Sequence, residues 1–292
     1  MRFLLKFLMP VLRPGTWAVA LSAGLLGCNL QKDIDVPLPE YASQLAVECY
    51  LRSGEVPRLT VTESESYLAP FNLNTFVKIV PTDVTATLTL PSGRVVPLNF
   101  LPMVDTVEQR GYTHFGRERI VARPGDTFTL NVQDRRGRRV TGSTTMTSYI
   151  PIDTVEYKFN DRSGSERKAY LLVSFQDPPG TDDYYRFTVH KGDPAKGALN
   201  RDPEVAFSPQ DRLNNGQRFT LGTSYRFDEG DTLTSTLYHM DFPFYRFRQS
   251  VSDARQANGN PFAQPSAIYS TVQGGLGVFT ILNYDRRTII IK

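Results

Sequence analysis

The strongest constraint on this chain is a period of two. In "DVTATLTL" the side chains of Val84, Ala86, Leu88 and Leu90 are separated by aspartate- and threonine-type polar positions. A helix would scatter that apolar set around its axis, whereas a strand places it on one face. The same rhythm returns in Leu45, Val47, Cys49 and Leu51, in Leu59 and Val61, and in Phe128, Leu130 and Val132. Turn-forming residues punctuate these runs, as in Pro91-Ser92-Gly93 and Pro124-Gly125-Asp126. Short alternating runs between such turns predict an all-β fold.

About seven strands fit the region 41–148, which predicts an immunoglobulin-like sandwich. Pro151, in "TSYIPIDTV", separates it from a second series of β-runs, "KAYLLVSFQD", "DYYRFTVHK", "RFTLGTSYRF" and "TLTSTLYHM". Region 149–292 therefore reads as a second β-sandwich-like domain, and it carries one α-helix near 242–257. Asp241 is placed to cap that helix and Pro243 falls in its first turn. Phe244, Phe247, Val251 and Ala254 recur at helical spacing, and Asn258-Gly259-Asn260-Pro261 stops them.

The first residues read as a targeting segment. Arg2, Lys6 and Arg13 precede an apolar run that is shorter than the roughly 20 residues a bilayer span requires. That run ends in Leu25-Leu26-Gly27-Cys28, which resembles a lipobox. Region 1–27 is thus expected to be a lipoprotein signal peptide, Cys28 to carry a diacylglycerol, and 28–40, with Pro37 and Pro39, to act as a semi-extended tether. Two acyl chains suffice for stable anchoring, each buried methylene contributing about 0.8 kcal/mol. Removal of the signal takes three of the 33 basic residues and leaves 30 against 30 acids. The precursor's net charge of +3 disappears, and with it any nucleic-acid reading built on basicity. The single Trp, Trp17, leaves as well. Only Cys49 remains as a thiol, so stability must come from hydrophobic cores rather than a disulfide.

Two segments carry a family resemblance. "DVPLPEYASQLAVECYL" with "PRLTVTESESYL", and "NPFAQPSAIYSTVQGGLGVF" (Asn260 to Phe279), resemble a family of lipoproteins from Bacteroidota known as domain of unknown function 4249. The resemblance implies an outer-membrane lipoprotein facing the cell exterior. It also implies a partner, a TonB-dependent receptor, for which the chain would be a non-enzymatic accessory that holds or delivers a ligand. An adhesion or envelope-scaffolding module is the alternative, and a surface hydrolase comes third. Asp105-Thr106-Val107, Asp153-Thr154-Val155 and Asp231-Thr232-Leu233 further resemble the O-glycosylation sites of exported proteins in this phylum, which would place glycans on Thr106, Thr154 and Thr232.

Chemistry is otherwise sparse. His114, His190 and His239 stand apart, with no His-Glu-x-x-His or Cys-His spacing, so no metal ligands are assigned. There is no Gly-x-Ser-x-Gly elbow, and no catalytic residue or cofactor beyond the lipid at Cys28 is expected. Asp228-Glu229-Gly230-Asp231 reads as a hairpin turn rather than a calcium loop. Asp177, Asp182 and Asp183 flank the loop Pro178-Pro179-Gly180. Arg135-Arg136-Gly137-Arg138-Arg139 reads as a solvated tip, with binding of an anionic lipid or receptor loop as the sharper option. Gly274, Gly275 and Gly277 read as turn or close-packing glycines. For a binding surface, the loop aromatics Tyr67, Phe71 and Tyr184 are the candidates.

Overall fold

A computed structural model describes residues 42–65, 78–105, 110–194, 202–212, 214–258 and 266–292. The fold is mostly β. Its first seven strands are β1 (Leu45–Arg52), β2 (Arg58–Glu63), β3 (Val84–Thr89), β4 (Val95–Asp105), β5 (Arg110–Phe115), β6 (Thr127–Asp134) and β7 (Arg139–Thr145). Next come β8 (Thr154–Phe159), β9 (Ala169–Gln176), β10 (Tyr184–Lys191), β11 (Val205–Phe207), β12 (Arg218–Gly222) and β13 (Thr232–Met240). The chain closes with helix α1 (Phe242–Asn258), β14 (Val272–Gln273) and β15 (Leu276–Ile290).

Twelve strands form one sheet in the order β11-β10-β13-β15-β1-β2-β5-β4-β3-β6-β7-β14, and β12-β9-β8 form a second. The ladder does not stay flat. After pairing with β7, β14 turns into β15, which runs parallel to β1. The ladder therefore curls back on itself around a core that includes Leu45, Val47, Leu59, Leu88, Phe128, Leu130 and Phe279. Each such side chain removed from water contributes about 1.5–3 kcal/mol. Cys49 lies in this core, where burial pushes its thiol up to about 12 and leaves it protonated.

The glycines of the C-terminal motif make the closure sterically feasible. Gly277 has φ +118°, and a Cβ there would stand 1.9 Å from the carbonyl oxygen of Val47. At Gly274, with φ +77°, a Cβ would stand 2.1 Å from the carbonyl oxygen of Arg139. Only glycine adopts those dihedrals at that approach. The motif brings β1 and β7 together across the seam.

A second core lies between the small sheet and the β10–β13 wing of the large one. It takes Leu171, Val173 and Phe175 from β9, Phe187 and Val189 from β10, Phe219 from β12, and Leu233 and Leu237 from β13. The opposite face of that wing packs Met240 and Val278 against Phe244 of α1. The helix begins where its capping chemistry requires: the Phe244 N–H donates to Asp241 Oδ1 at 2.9 Å, and the Tyr245 N–H to the Asp241 carbonyl at 3.0 Å. Among the described residues no helix is long and apolar enough to cross a membrane.

Candidate functional site

Residues from three separate stretches meet at one end of the second core. Asp177 follows β9, Asp183 precedes β10, Asp211 lies between β11 and β12, and His239 is near the end of β13. The carboxylates are removed from water, with exposures of 0% for Asp177, 7% for Asp183 and 1% for Asp211. One oxygen from each lies within 4.8 Å of the others.

Side-chain and backbone hydrogen bonds hold both oxygens of two of the acids. The Tyr185 hydroxyl donates to Asp177 Oδ1 at 2.5 Å, and the Gly216 N–H to Asp177 Oδ2 at 2.7 Å. Burial, then the contact with Asp177, pushes the Tyr185 phenol far above its ordinary value, so it remains a donor. Thr181 donates to Asp183 Oδ2 at 2.9 Å, and His239 Nε2 stands 2.9 Å from Asp183 Oδ1. Asp211 differs from both. Its Oδ2 has no hydrogen-bond partner among the described residues. Burial, with the charges of Asp177, Asp183 and Asp182, raises its carboxyl above the usual range.

Ser148, His239 and Asp183 form a line that invites comparison with a nucleophilic triad. Ser148 Oγ is 3.3 Å from His239 Nδ1. The same nitrogen, however, stands 2.9 Å from the Ser148 carbonyl oxygen, which can only accept. A ring that satisfies both that carbonyl and Asp183 donates from both nitrogens. It then has no lone pair with which to take the serine proton.

Asp211 also lines an open pocket of about 270 Å³, together with Asp182, Tyr184, Gln210, Arg212 and Phe242. Tyr184 is half-buried there, its ring centroid 5.1 Å from Phe242 and 4.8 Å from Tyr245. A second, larger pocket of about 430 Å³ lies along α1. It is lined by Arg246, Asp253, Ile268 and Tyr269, with the Arg246 guanidinium 4.6 Å from the Tyr269 ring centroid.

Of the residues singled out in the sequence, Tyr184 and the loop acid Asp182 line a pocket. Tyr67, Phe71, Cys28 and Thr106 lie outside the described residues. Thr154 opens β8 and Thr232 opens β13, both half-buried. Around the turn at Gly230 the acids are engaged: Asp228 pairs with Lys168 at 2.5 Å, Asp231 with Lys191 at 2.9 Å, and Glu229 with Arg167. The arginine run is a hairpin turn, but its reading as a solvated tip needs correction at Arg138. That side chain bonds Asp134 at 2.7 Å, Glu63 at 2.6 Å and the Ser43 carbonyl at 3.1 Å. It is a clamp between β2 and β6, so only the flanking arginines remain for an external anion.

The sequence reading found Asp177 and Asp183 as loop acids and missed Asp211 and His239. No spacing links Asp211 and His239 to that loop, because each comes from a different stretch of chain.

A family model described as Domain of unknown function (DUF4249) matches residues 31–288. No curated protein matches the chain.

Proposed function

The chain belongs to the DUF4249 family, and from that premise we propose that it is a non-enzymatic lipoprotein of the outer membrane. In this reading it is held at the cell exterior by a diacylglycerol on Cys28 and assists a TonB-dependent transporter by holding or delivering a ligand. The observation that carries the reading is the order of the chain. The lipobox Leu25-Leu26-Gly27-Cys28 stands immediately ahead of the matched domain, which begins at residue 31. In this reading a two-chain anchor lies just ahead of the matched segment.

Two surface features support a binding role over a catalytic one. The pocket at Tyr184 is open, aromatic and charged, while the neighbouring histidine is committed to donating rather than to activating a nucleophile. On β4, Leu101, Met103 and Val104 are exposed in one short stretch. Exposed apolar clusters of this kind mark protein contacts.

Extraction of native membranes in mild detergent, followed by purification through this chain, tests the proposal. The expected result is a protein whose mass includes the lipid, eluting with a TonB-dependent barrel, and a Cys28→Ala variant that loses both properties. A chain carrying no lipid, or a lipidated one that elutes without the barrel, would contradict it.

A further inference from the structure

We propose that Asp177, Asp183 and Asp211 together bind a divalent cation, and that the cation is calcium. The inference rests on the folded unit alone and stands whether or not the membrane reading does.

Geometry is the first argument. Calcium takes carboxylate oxygens at about 2.3–2.6 Å, so one ion bridges oxygens up to roughly 5 Å apart. The three carboxylate oxygens here lie within 4.8 Å of one another. Magnesium, at about 2.0–2.1 Å, requires a tighter octahedron. The donors are all hard oxygens, and the one nearby imidazole has Nε2 turned to Asp183 and Nδ1 to a carbonyl, which disfavours zinc.

Charge is the second argument. Three buried carboxyl groups face one another here, and His239 contacts Asp183. Isolated charges at such a depth are costly unless paired. Arg212 lines the adjoining pocket but is exposed, and no hydrogen bond or ion pair joins it to the cluster among the described residues.

The third argument is independent of the clustering. Asp211 is almost wholly buried, yet its Oδ2 has no hydrogen-bond partner among the described residues. Buried polar atoms are rarely left so, and each exception requires a partner. A carboxylate oxygen of Asp211 lies within 4.8 Å of one from each of the other two acids, and the adjoining pocket provides a path for an ion from solvent.

The alternative is a proton shared among the acids, with no cation. Terbium luminescence on the full mature chain, stripped with EDTA and excited through tyrosine, separates the two. Tyr185 is bonded to Asp177, so a tyrosine beside the site is the sensitiser. We expect saturable luminescence that calcium chloride displaces. Asp211→Asn should weaken terbium and calcium binding at least about tenfold, since lost support of a metal site costs about that much or more. Asp161→Asn, at an exposed position, should leave it unchanged. Absence of a calcium-displaceable signal in the wild-type chain overturns the proposal, as does an Asp211→Asn variant that binds as tightly as wild type. The wild-type titration decides the matter even where a variant folds poorly.

Discussion

Two groups of buried acids, one in each core region, meet the same physical problem differently. Near the first core, Asp134 is 5% exposed and half-buried Glu63 stands beside it. Arg138 reaches both, so the negative charge is balanced from within the chain. In the second, His239 meets Asp183, and an oxygen of Asp211 is unmatched among the described residues. Burial of a carboxylate is tolerable where a fixed counter-charge and hydrogen bonds meet it. The first group has the character of a structural clamp. The second has the character of a site.

The clamp is the place to break the contrast most forcefully. Arg138→Ala should cost about 3 kcal/mol, because it strands buried Asp134 without its partner. Urea denaturation would show the midpoint falling with an unchanged slope. A loss close to zero would mean that Arg138 is the solvated residue its sequence context suggests.

Acid titration probes the same clamp. The Arg138 hydrogen bond holds Glu63 below the usual carboxylate range. For Asp134 burial pushes upward, but the bonds from Arg138 outweigh it and the net direction is also down. Carboxyls with depressed folded-state values contribute stability that is full above their unfolded values, 4.5 and 3.8, and is lost as pH falls through the folded ones. Wild-type stability should therefore decline below those values, and Arg138→Ala should flatten that acid limb.

At the second group the sign reverses. Asp211→Asn in calcium-free buffer should stabilise the fold by about 1 kcal/mol, because a buried acid crowded by two others is replaced by a neutral amide. Thermal melts in EDTA would show it, and a marked loss of stability would indicate that Asp211 already has an internal partner. The smallest effect is expected at Arg136, which is 68% exposed and 3.7 Å from Glu63. Arg136→Ala should change stability by less than about 0.5 kcal/mol.

Much of the fold was legible in the chain because its signals are local. Val84, Ala86 and Leu88 alternate inward on β3, and Asp241 with Pro243 opens α1. What escaped depends on partners distant in sequence. The parallel register of Val47 with Gly277 spans most of the chain, and no local pattern encodes it. Arg138 lies four residues from Asp134 across a turn, a visible hint, but its second partner is Glu63 on another strand. Asp177 and Asp183 were visible as loop acids. Their convergence with Asp211 and His239 was not, since it follows from how three connections close over the end of the second core.

The most direct test of the contrast is an anomalous difference map from a crystal of the folded chain grown with a lanthanide. The account predicts a peak bounded by the carboxylates of Asp177, Asp183 and Asp211, and none at the Arg138 clamp. A map with no peak at those three acids, or with peaks only on exposed carboxylates, would contradict it.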